Sequence, residues 1–83
     1  MDSKSWVVYL LKCADNSFYC GVTNDIDRRI NEHNTSKRGA KYTRSRRPVQ
    51  LIGCKSASSR SEAQSLEAKV KKMKKLEKLS FFS

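Results

Sequence analysis

The chain is poor in the residues that build metal clusters and disulfide frameworks, with 1 His and 3 Cys among 83 residues. No two cysteines have C-x-x-C spacing and His33 is the single histidine, and these two facts together argue against a four-ligand zinc site. An odd number of cysteines without a secretion signal argues against a disulfide framework. We therefore expect reduced cysteines that pack as small apolar side chains.

Long apolar runs are also absent, and the longest, residues 6–11, is too short to cross a bilayer. The first 12 residues lack the apolar core and the small-residue cleavage site of a signal peptide. We therefore expect a cytoplasmic protein with no membrane partner. No internal repeat or linker is visible, so the length predicts a single domain over residues 1–83, with a small core over about residues 6–79.

Acidic residues are few, because 8 Asp and Glu oppose 18 Lys and Arg and leave a formal net charge of +10. The excess lies in residues 36–50, which contain no acid, and in residues 69–78, which contain only Glu77. A basic surface of this size favours nucleic acid, since cations beside phosphates release condensed counterions, although solubility alone is the other explanation. The predicted nucleic-acid-binding residues are Lys37, Arg38, Lys41, Tyr42, Arg44, Arg46, Arg47, Lys71 and Lys72.

The pattern of apolar and turn-forming residues predicts a mixed α+β fold. Residues 6–13 and 18–23 are rich in β-branched and aromatic side chains and flank the turn-forming residues 14–17, so they predict a β-hairpin. The other predicted elements are a helix over residues 24–33 capped by Thr23 or Asn24, a short helix or ordered loop over 40–47, a strand over 49–55, and one last helix from 61 to about 76 that begins at a Ser58 or Ser59 cap.

Three polar residues occupy informative positions on the predicted helices. Arg29 and His33 are four residues apart, so they share one edge of the first helix beside its apolar stripe. Glu67 lies at the edge of the apolar stripe of the last helix, where an unpaired buried carboxylate would be costly. Spacing alone favours a surface ion pair with Lys71, and an arginine or a metal ion is the alternative partner.

Two tripeptides on the predicted hairpin carry a resemblance to a known family. Val7-Val8-Tyr9, followed after nine residues by Tyr19-Cys20-Gly21, resembles the paired signature of the GIY-YIG nuclease superfamily. The apolar residues differ from the usual ones, since Val7 and Val8 replace glycine and isoleucine and Cys20 replaces isoleucine. Residues 23–34, 41–44, 48–51 and 62–72 continue the resemblance in order, and the chain resembles the small single-domain bacterial YhbQ-like branch of the superfamily.

The resemblance implies a three-stranded antiparallel sheet flanked by helices, in the order β-β-α-α-β-α, with an active site on the sheet face. It implies divalent-metal-dependent hydrolysis of phosphodiester bonds in DNA, with Glu67 as the ligand of a single Mg²⁺ or Mn²⁺ ion. Arg29 would contact the scissile phosphate. Tyr9 and Tyr19 would line the site, one of them positioning or deprotonating the attacking water, and His33 would aid proton transfer or bind the leaving group.

Each of these expectations has an alternative. Tyr9 and Tyr19 also fit simple packing on a sheet face, and His33 also fits an exposed polar position. The domain as a whole also fits a nucleic-acid-binding module without chemistry. A nuclease subunit that needs a protein partner, or a second copy of itself, is a further alternative.

Overall fold

The computed structural model describes residues 5–83 and contains one three-stranded antiparallel sheet in the order β2-β1-β3. This confirms the expected α+β class and sheet. In the described residues no helix is both long and apolar enough to span a membrane. The elements are β1 (Trp6–Lys12), β2 (Phe18–Thr23), α1 (Ile26–Thr35), α2 (Lys41–Arg44), β3 (Gln50–Ala57), α3 (Arg60–Lys71) and α4 (Lys75–Phe82).

The β1–β2 hairpin forms where the sequence predicts it. Its turn contains Asn16 with a φ of 69°, in the left-handed region that asparagine tolerates. The Asp15 carboxylate accepts a hydrogen bond from the Ser17 backbone N–H at 3.0 Å and so closes the turn. This turn fixes a register in which Tyr9 pairs with Gly21 and Leu11 pairs with Tyr19.

The sheet has helices on both faces, because successive side chains of a strand point to opposite sides. Val8, Leu10 and Cys20 lie on one face and pack against Ala63 and Val70 of α3. The other face carries a second cluster, which places the two hairpin tyrosines in the same layer as α1. Its members are Tyr9, Leu11, Cys13 and Val49, with Tyr19, Ile26 and Ile30 packed against them.

The prediction of a single last helix is wrong, because the chain turns between Lys71 and Lys75. The Met73 backbone N–H bonds to the Val70 carbonyl at 2.9 Å, and the Glu77 carboxylate accepts the Lys74 backbone N–H at 2.8 Å to start α4. Two physical terms favour the break. Lysines at 71, 72, 74 and 75 repel one another along a continuous helix, and the turn brings Phe81 and Phe82 back onto the Val8–Leu10 core.

The predicted helix starts are partly correct. The Asp25 side chain, not Thr23 or Asn24, caps α1 by accepting the Arg28 backbone N–H at 3.2 Å, so the helix starts and ends two residues later than predicted. The Ser59 cap of α3 is confirmed, since its hydroxyl accepts the Glu62 backbone N–H at 3.1 Å. Strand β3 begins at Gln50 and extends two residues beyond the predicted end.

All three cysteines are free thiols, as expected. Cys13 and Cys20 are buried and pack as small apolar side chains. Cys54 is exposed on β3, so the packing expectation is wrong for this residue. The physical reason is that β3 is an edge strand whose outer part is less covered than β1.

Candidate active site

A buried hydrogen bond joins β1 to α1: the Tyr9 hydroxyl lies 2.8 Å from His33 Nε2, and both side chains are fully buried. The Tyr9 ring has room because its cross-strand partner is Gly21. A Cβ atom at Gly21 would lie 2.6 Å from Tyr9 Cζ, closer than carbon atoms approach. Gly21 of the second tripeptide therefore leaves the space that the ring of Tyr9, in the first tripeptide, occupies.

His33 is held from its other nitrogen as well. Its Nδ1 lies 2.8 Å from the hydroxyl of Thr43, a buried residue of α2. Burial and, to a smaller extent, the positive charge of Arg29 lower the pKa of His33 to about 4, so the imidazole is neutral at pH 7. The alternative of an exposed polar histidine is wrong, because the α1–α2 connection covers the ring.

Tyr19 lies beside this pair but is half-buried. Its ring centroid is 5.2 Å from that of His33 and 6.4 Å from that of Tyr9. Burial raises the pKa of Tyr9 above its ordinary value, against the opposing effect of Arg29. Ionised Tyr9 is therefore scarce at neutral pH, and a proton leaves this hydroxyl only if a neighbour accepts it.

Arg29 supplies positive charge to the same cluster. Its Nη1 donates to Glu32 Oε1 at 2.9 Å and to the Arg38 carbonyl at 2.8 Å, and its side chain is 25% exposed. The hydrogen bond from Arg29 lowers the pKa of the Glu32 carboxyl, which keeps this ion pair formed. The structure thus brings together four of the predicted catalytic residues: Tyr9, Tyr19, Arg29 and His33.

Glu67 does not join these four residues directly. It lies on α3, whose core-facing side chains pack against the opposite face of the sheet. Its carboxylate forms the ion pair that spacing favours, with Lys71 Nζ at 3.4 Å, and its side chain is 22% exposed. Burial and the charge of Glu67 raise the pKa of Cys20 to about 11, which locates the carboxylate near the edge strand β2. Its role as a metal ligand stays a prediction.

Metal ligands are sparse in the part of the chain that the structure describes. Residues 5–83 contain no group of three or more His, Cys, Asp or Glu side chains placed to enclose a metal ion. Glu67 is partly exposed, and its ion pair with the solvent-exposed Lys71 is open to exchange with another cation. A single carboxylate fits Mg²⁺ or Mn²⁺, since such ions keep several water ligands and are completed by substrate phosphates.

The predicted nucleic-acid-binding residues of the first basic block, residues 36–50, are of two kinds. Lys37, Arg38, Lys41 and Arg44 are exposed on the segment that follows α1, whereas Arg46 and Arg47 bond within the protein. The Arg46 guanidinium stacks 3.9 Å over the Tyr42 ring, and its Nε bonds to Asp15 Oδ2 at 3.0 Å. Arg47 donates to the backbone carbonyls of Glu32, His33 and Ser36 at the end of α1.

The second basic block lies elsewhere. Lys71 and Lys72 are exposed at the end of α3, on the other side of the sheet from Tyr9 and His33. Tyr42 belongs to the first block and is 38% exposed, with its ring stacked on Tyr19 at a centroid distance of 6.0 Å. The two basic blocks therefore occupy two separate surfaces.

The site also contains residues that the sequence does not single out as functional. Thr43 bonds to His33, Glu32 bonds to Arg29, and Gly39 is buried against α1. A Cβ atom at Gly39 would lie 2.7 Å from the Glu32 carbonyl oxygen and 2.8 Å from His33 Cα. The signal in the sequence is weak, because it consists of one glycine and one threonine inside a basic segment.

Comparison with known proteins identifies the family. Residues 5–80 match the family model described as the GIY-YIG catalytic domain. A UPF0213 protein of Desulfotalea psychrophila is 49% identical over 72 residues, which cover 87% of this chain and 66% of that protein. A UPF0213 protein of Streptococcus pneumoniae serotype 4 is 47% identical over 83 residues, which cover 100% of this chain and 82% of that protein.

Solved structures agree with this grouping. The solution NMR structure of a protein from E. faecalis is 41% identical with a TM-score of 0.65, and the match covers 96% of this chain and 84% of that one. The solution NMR structure of a UPF0213 protein from Bacillus halodurans is 42% identical with a TM-score of 0.57, covering 93% and 81%. These names state neither a substrate nor a reaction. The chain belongs to the GIY-YIG family, whose catalytic domain indicates nuclease activity, and it is similar throughout to UPF0213 proteins.

Proposed function

We propose that this protein is a divalent-metal-dependent endonuclease that hydrolyses phosphodiester bonds in DNA. The observation that carries the proposal is the buried 2.8 Å hydrogen bond between the Tyr9 hydroxyl and His33 Nε2, beside the Arg29 guanidinium. A tyrosine, a neutral histidine and an arginine in one cluster supply a proton acceptor and a positive charge. Hydrolysis of a phosphodiester by water requires both.

Tyr9 and His33 act as a proton relay in the proposed reaction. The oxygen of the attacking water bonds to phosphorus while one of its protons passes to the Tyr9 oxygen, and the Tyr9 proton passes to His33 Nε2. The bond from phosphorus to the leaving oxygen breaks, and that oxygen takes a proton from solvent. A relay is needed because burial raises the pKa of Tyr9, so the free phenolate is scarce, whereas His33 is neutral and able to accept.

Arg29 binds the scissile phosphate in this scheme. Its two hydrogen bonds to Glu32 and to the Arg38 carbonyl both use Nη1. A guanidinium has five N–H donors, so donors remain for phosphate oxygens. Because Tyr9 is fully buried while Tyr19 and Arg29 are partly exposed, the phosphate and the water approach the relay past these two side chains.

Glu67 is the residue that would hold the metal ion, once the ion has replaced the Lys71 ammonium as the partner of its carboxylate. When bound, Mg²⁺ or Mn²⁺ offsets the negative charge of the phosphate and makes a coordinated water more acidic. The carboxylate supplies one hard oxygen ligand and stays partly open to solvent, which suits an ion that keeps its other waters. Lys71 is 55% exposed, so its displacement costs little.

DNA is the proposed substrate, and the exposed cations beside the Tyr9–His33 pair support this proposal because such side chains pair with backbone phosphates. The exposed cations lie on the segment after α1, and the Arg38 carbonyl in this segment accepts a hydrogen bond from Arg29. They are Lys37, Arg38, Lys41 and Arg44. Contacts to the backbone give affinity with little sequence preference. We therefore expect recognition of DNA structure more than of sequence.

A cleavage assay tests the proposal on single-stranded, duplex, nicked and branched DNA with Mg²⁺ and with Mn²⁺. We expect metal-dependent cleavage by the wild type, and a loss of about 10²-fold or more in Arg29→Ala and Glu67→Gln, with DNA binding retained. Asp27→Asn is the matched control, since it removes an exposed carboxylate from α1 and should cleave like the wild type. Cleavage by Glu67→Gln at the wild-type rate would refute the assignment of Glu67.

A second candidate function is a nucleic-acid-binding module without chemistry. The observation that favours it is the ion pair between Glu67 and Lys71, on a helix that packs on the other face of the sheet from the Tyr9–His33 pair. Salt-sensitive DNA or RNA binding, with no cleavage of any substrate under either metal, would support this function in place of the nuclease.

A further inference from the structure

His33 lies between two hydroxyl groups, and the choice of ring nitrogen that carries its proton decides what the ring does to Tyr9. We propose that Thr43 is a positioning residue that holds His33 in the tautomer with the proton on Nδ1. This leaves the Nε2 lone pair to accept the Tyr9 proton. The inference about the tautomer stands on the geometry alone, and its consequence for catalysis rests on the proposed nuclease function.

A count of protons supports this tautomer. Three short contacts form a chain: Tyr9 hydroxyl to Nε2 at 2.8 Å, Nδ1 to the Thr43 hydroxyl at 2.8 Å, and the Thr43 hydroxyl to the Ala40 carbonyl at 2.9 Å. With the proton on Nδ1, each contact has one donor and one acceptor. Tyr9 donates to Nε2, Nδ1–H donates to the Thr43 oxygen, and the Thr43 O–H donates to the Ala40 carbonyl.

The other tautomer leaves this chain one proton short. With the proton on Nε2, the ring donates to the Tyr9 oxygen, and Nδ1 becomes an acceptor. The single Thr43 proton would then have to serve both Nδ1 and the Ala40 carbonyl oxygen. The Thr43 and Ala40 oxygens, 2.9 Å apart, would then be two acceptors with no proton between them, which is repulsive even though the Ala40 carbonyl also accepts two backbone N–H groups.

One contact favours the other tautomer, and it is the longest of the set. The Ala40 backbone N–H points at Nδ1 with an N···N distance of 3.3 Å. A hydrogen bond of this length is weaker than one at 2.8 Å. The contact with the Thr43 hydroxyl therefore decides where the proton lies. Without this hydroxyl, Nδ1 should lose its proton and accept the hydrogen bond of the Ala40 amide.

The tautomer matters because His33 is neutral and has one N–H to place. The groups that face the ring are Tyr9 on β1, Tyr19 on β2, Arg29 and Glu32 on α1, and Arg47 after α2. The two arginines disfavour the imidazolium, and Glu32 favours it. At neutral pH the ring thus has either a proton-accepting Nε2 or a proton-donating one, and only the accepting form takes a proton from Tyr9.

Nitrogen NMR of the full chain tests this proposal directly, since His33 is the single histidine of 83 residues and gives one unambiguous pair of ring nitrogens. Two-bond ¹H–¹⁵N correlations at pH 7 distinguish the tautomers without DNA or metal. We expect Nδ1–H in the wild type and in Thr43→Ser, which keeps the hydroxyl. Thr43→Val, which has nearly the same shape, should shift the ring toward Nε2–H.

Two NMR outcomes would overturn the proposal: Nε2–H in the wild type, or the same tautomer in the wild type and in Thr43→Val. Amide spectra and thermal melting of each variant establish that it is folded. If Thr43→Val fails to fold, Thr43→Ala and Thr43→Ser form the comparison in its place.

Cleavage kinetics then test the catalytic consequence. Thr43→Val should lower kcat by about 10²-fold with little change in KM, because Thr43 acts through His33 and does not bind DNA, and Thr43→Ser should restore most of the rate. A Thr43→Val variant with the Nε2–H tautomer and an unchanged kcat would refute this part. If the wild type cleaves no DNA, the nuclease proposal fails, and the NMR result alone decides the tautomer.

Discussion

Gly21 and Tyr9 show how the smallest residue of the site fixes the position of its largest. They are paired across β1 and β2, and any side chain at Gly21 would occupy the space of the Tyr9 ring. The ring therefore lies over Gly21, with its hydroxyl hydrogen-bonded to His33. The glycine serves a space requirement, since its backbone has no positive φ.

At the same scale, the buried His33 predicts a loss of stability in mild acid. Its pKa is lowered from 6.5 to about 4 by burial and by Arg29. In the unfolded chain the pKa returns to its ordinary value, so between these limits the unfolded state binds a proton that the folded state does not. The free energy of unfolding is unaffected above pH 6.5 and falls as the pH drops toward 4. The total loss is about 3 kcal/mol.

Urea unfolding at pH 7 and pH 5 measures this effect. The wild type should lose about 2 kcal/mol between the two pH values, and His33→Gln, which cannot titrate, should lose much less. Asp15 and Glu32 do not obscure the comparison, because their pKa values are lowered below the ordinary ones and they stay ionised at pH 5. Equal stability of the wild type at both pH values would contradict a buried neutral His33.

At the scale of elements, the connection from α1 to β3 covers and positions His33. Arg47 ties the later part of this connection to the end of α1. Its guanidinium donates to three carbonyl oxygens at the end of α1, those of Glu32, His33 and Ser36. Gly39 lets the same connection approach α1 closely. The loop therefore closes over His33 and brings Thr43 against the ring.

Arg47→Ala should destabilise the protein by about 1–3 kcal/mol, because partly buried carbonyl groups lose charged hydrogen-bond donors. Arg44→Ala is the matched control, since Arg44 is exposed on α2 three residues earlier and forms no ion pair within residues 5–83. Arg44→Ala should leave stability nearly unchanged and weaken DNA binding. Chemical unfolding and DNA titration of both variants give the two readouts, and equal stability losses would contradict the distinction.

Local signals in the sequence were sufficient for most elements. The hairpin follows from two β-rich segments around residues 14–17, and α1 follows from Ile26 and Ile30 at helical spacing. The break between α3 and α4 was not predictable in this way, because the burial of Phe81 and Phe82 against β1 depends on tertiary packing that no local window contains.

The candidate site was also predictable only in part. The family resemblance implies Tyr9, Tyr19, Arg29 and His33 as site residues, and the structure places these four side chains in one cluster. The contact between His33 and Thr43 was not predictable, since it depends on how a loop of basic residues folds back on α1. Arg46 and Arg47 show the same limit. Composition counts them as surface cations, whereas their hydrogen bonds lie within the protein.

At the scale of the whole molecule, the sheet separates the two basic blocks. The layer of α1 and α2 carries the Tyr9–His33 pair with Lys37, Lys41 and Arg44, and the layer of α3 and α4 carries Lys71 and Lys72. The molecule measures 35 × 28 × 18 Å, so its thin dimension is close to the width of a DNA duplex. One straight duplex against the first layer leaves Lys72, at the end of α3, without a DNA contact.

This separation predicts that the two blocks respond differently to the shape of the DNA. On a short linear duplex, Lys41→Gln with Arg44→Gln should reduce the slope of log affinity against log salt by about 2, because each cation removed from a phosphate lowers it by about 0.9. Lys72→Gln should leave that slope unchanged on the linear duplex, because Lys72 belongs to the layer on the other side of the sheet. On a branched substrate, whose second arm reaches α3, Lys72→Gln should reduce the slope by about 1.

A Lys72→Gln effect of equal size on both substrates would show that one duplex contacts both layers. Such a duplex would have to bend its backbone around the β2 edge, against which α3 packs.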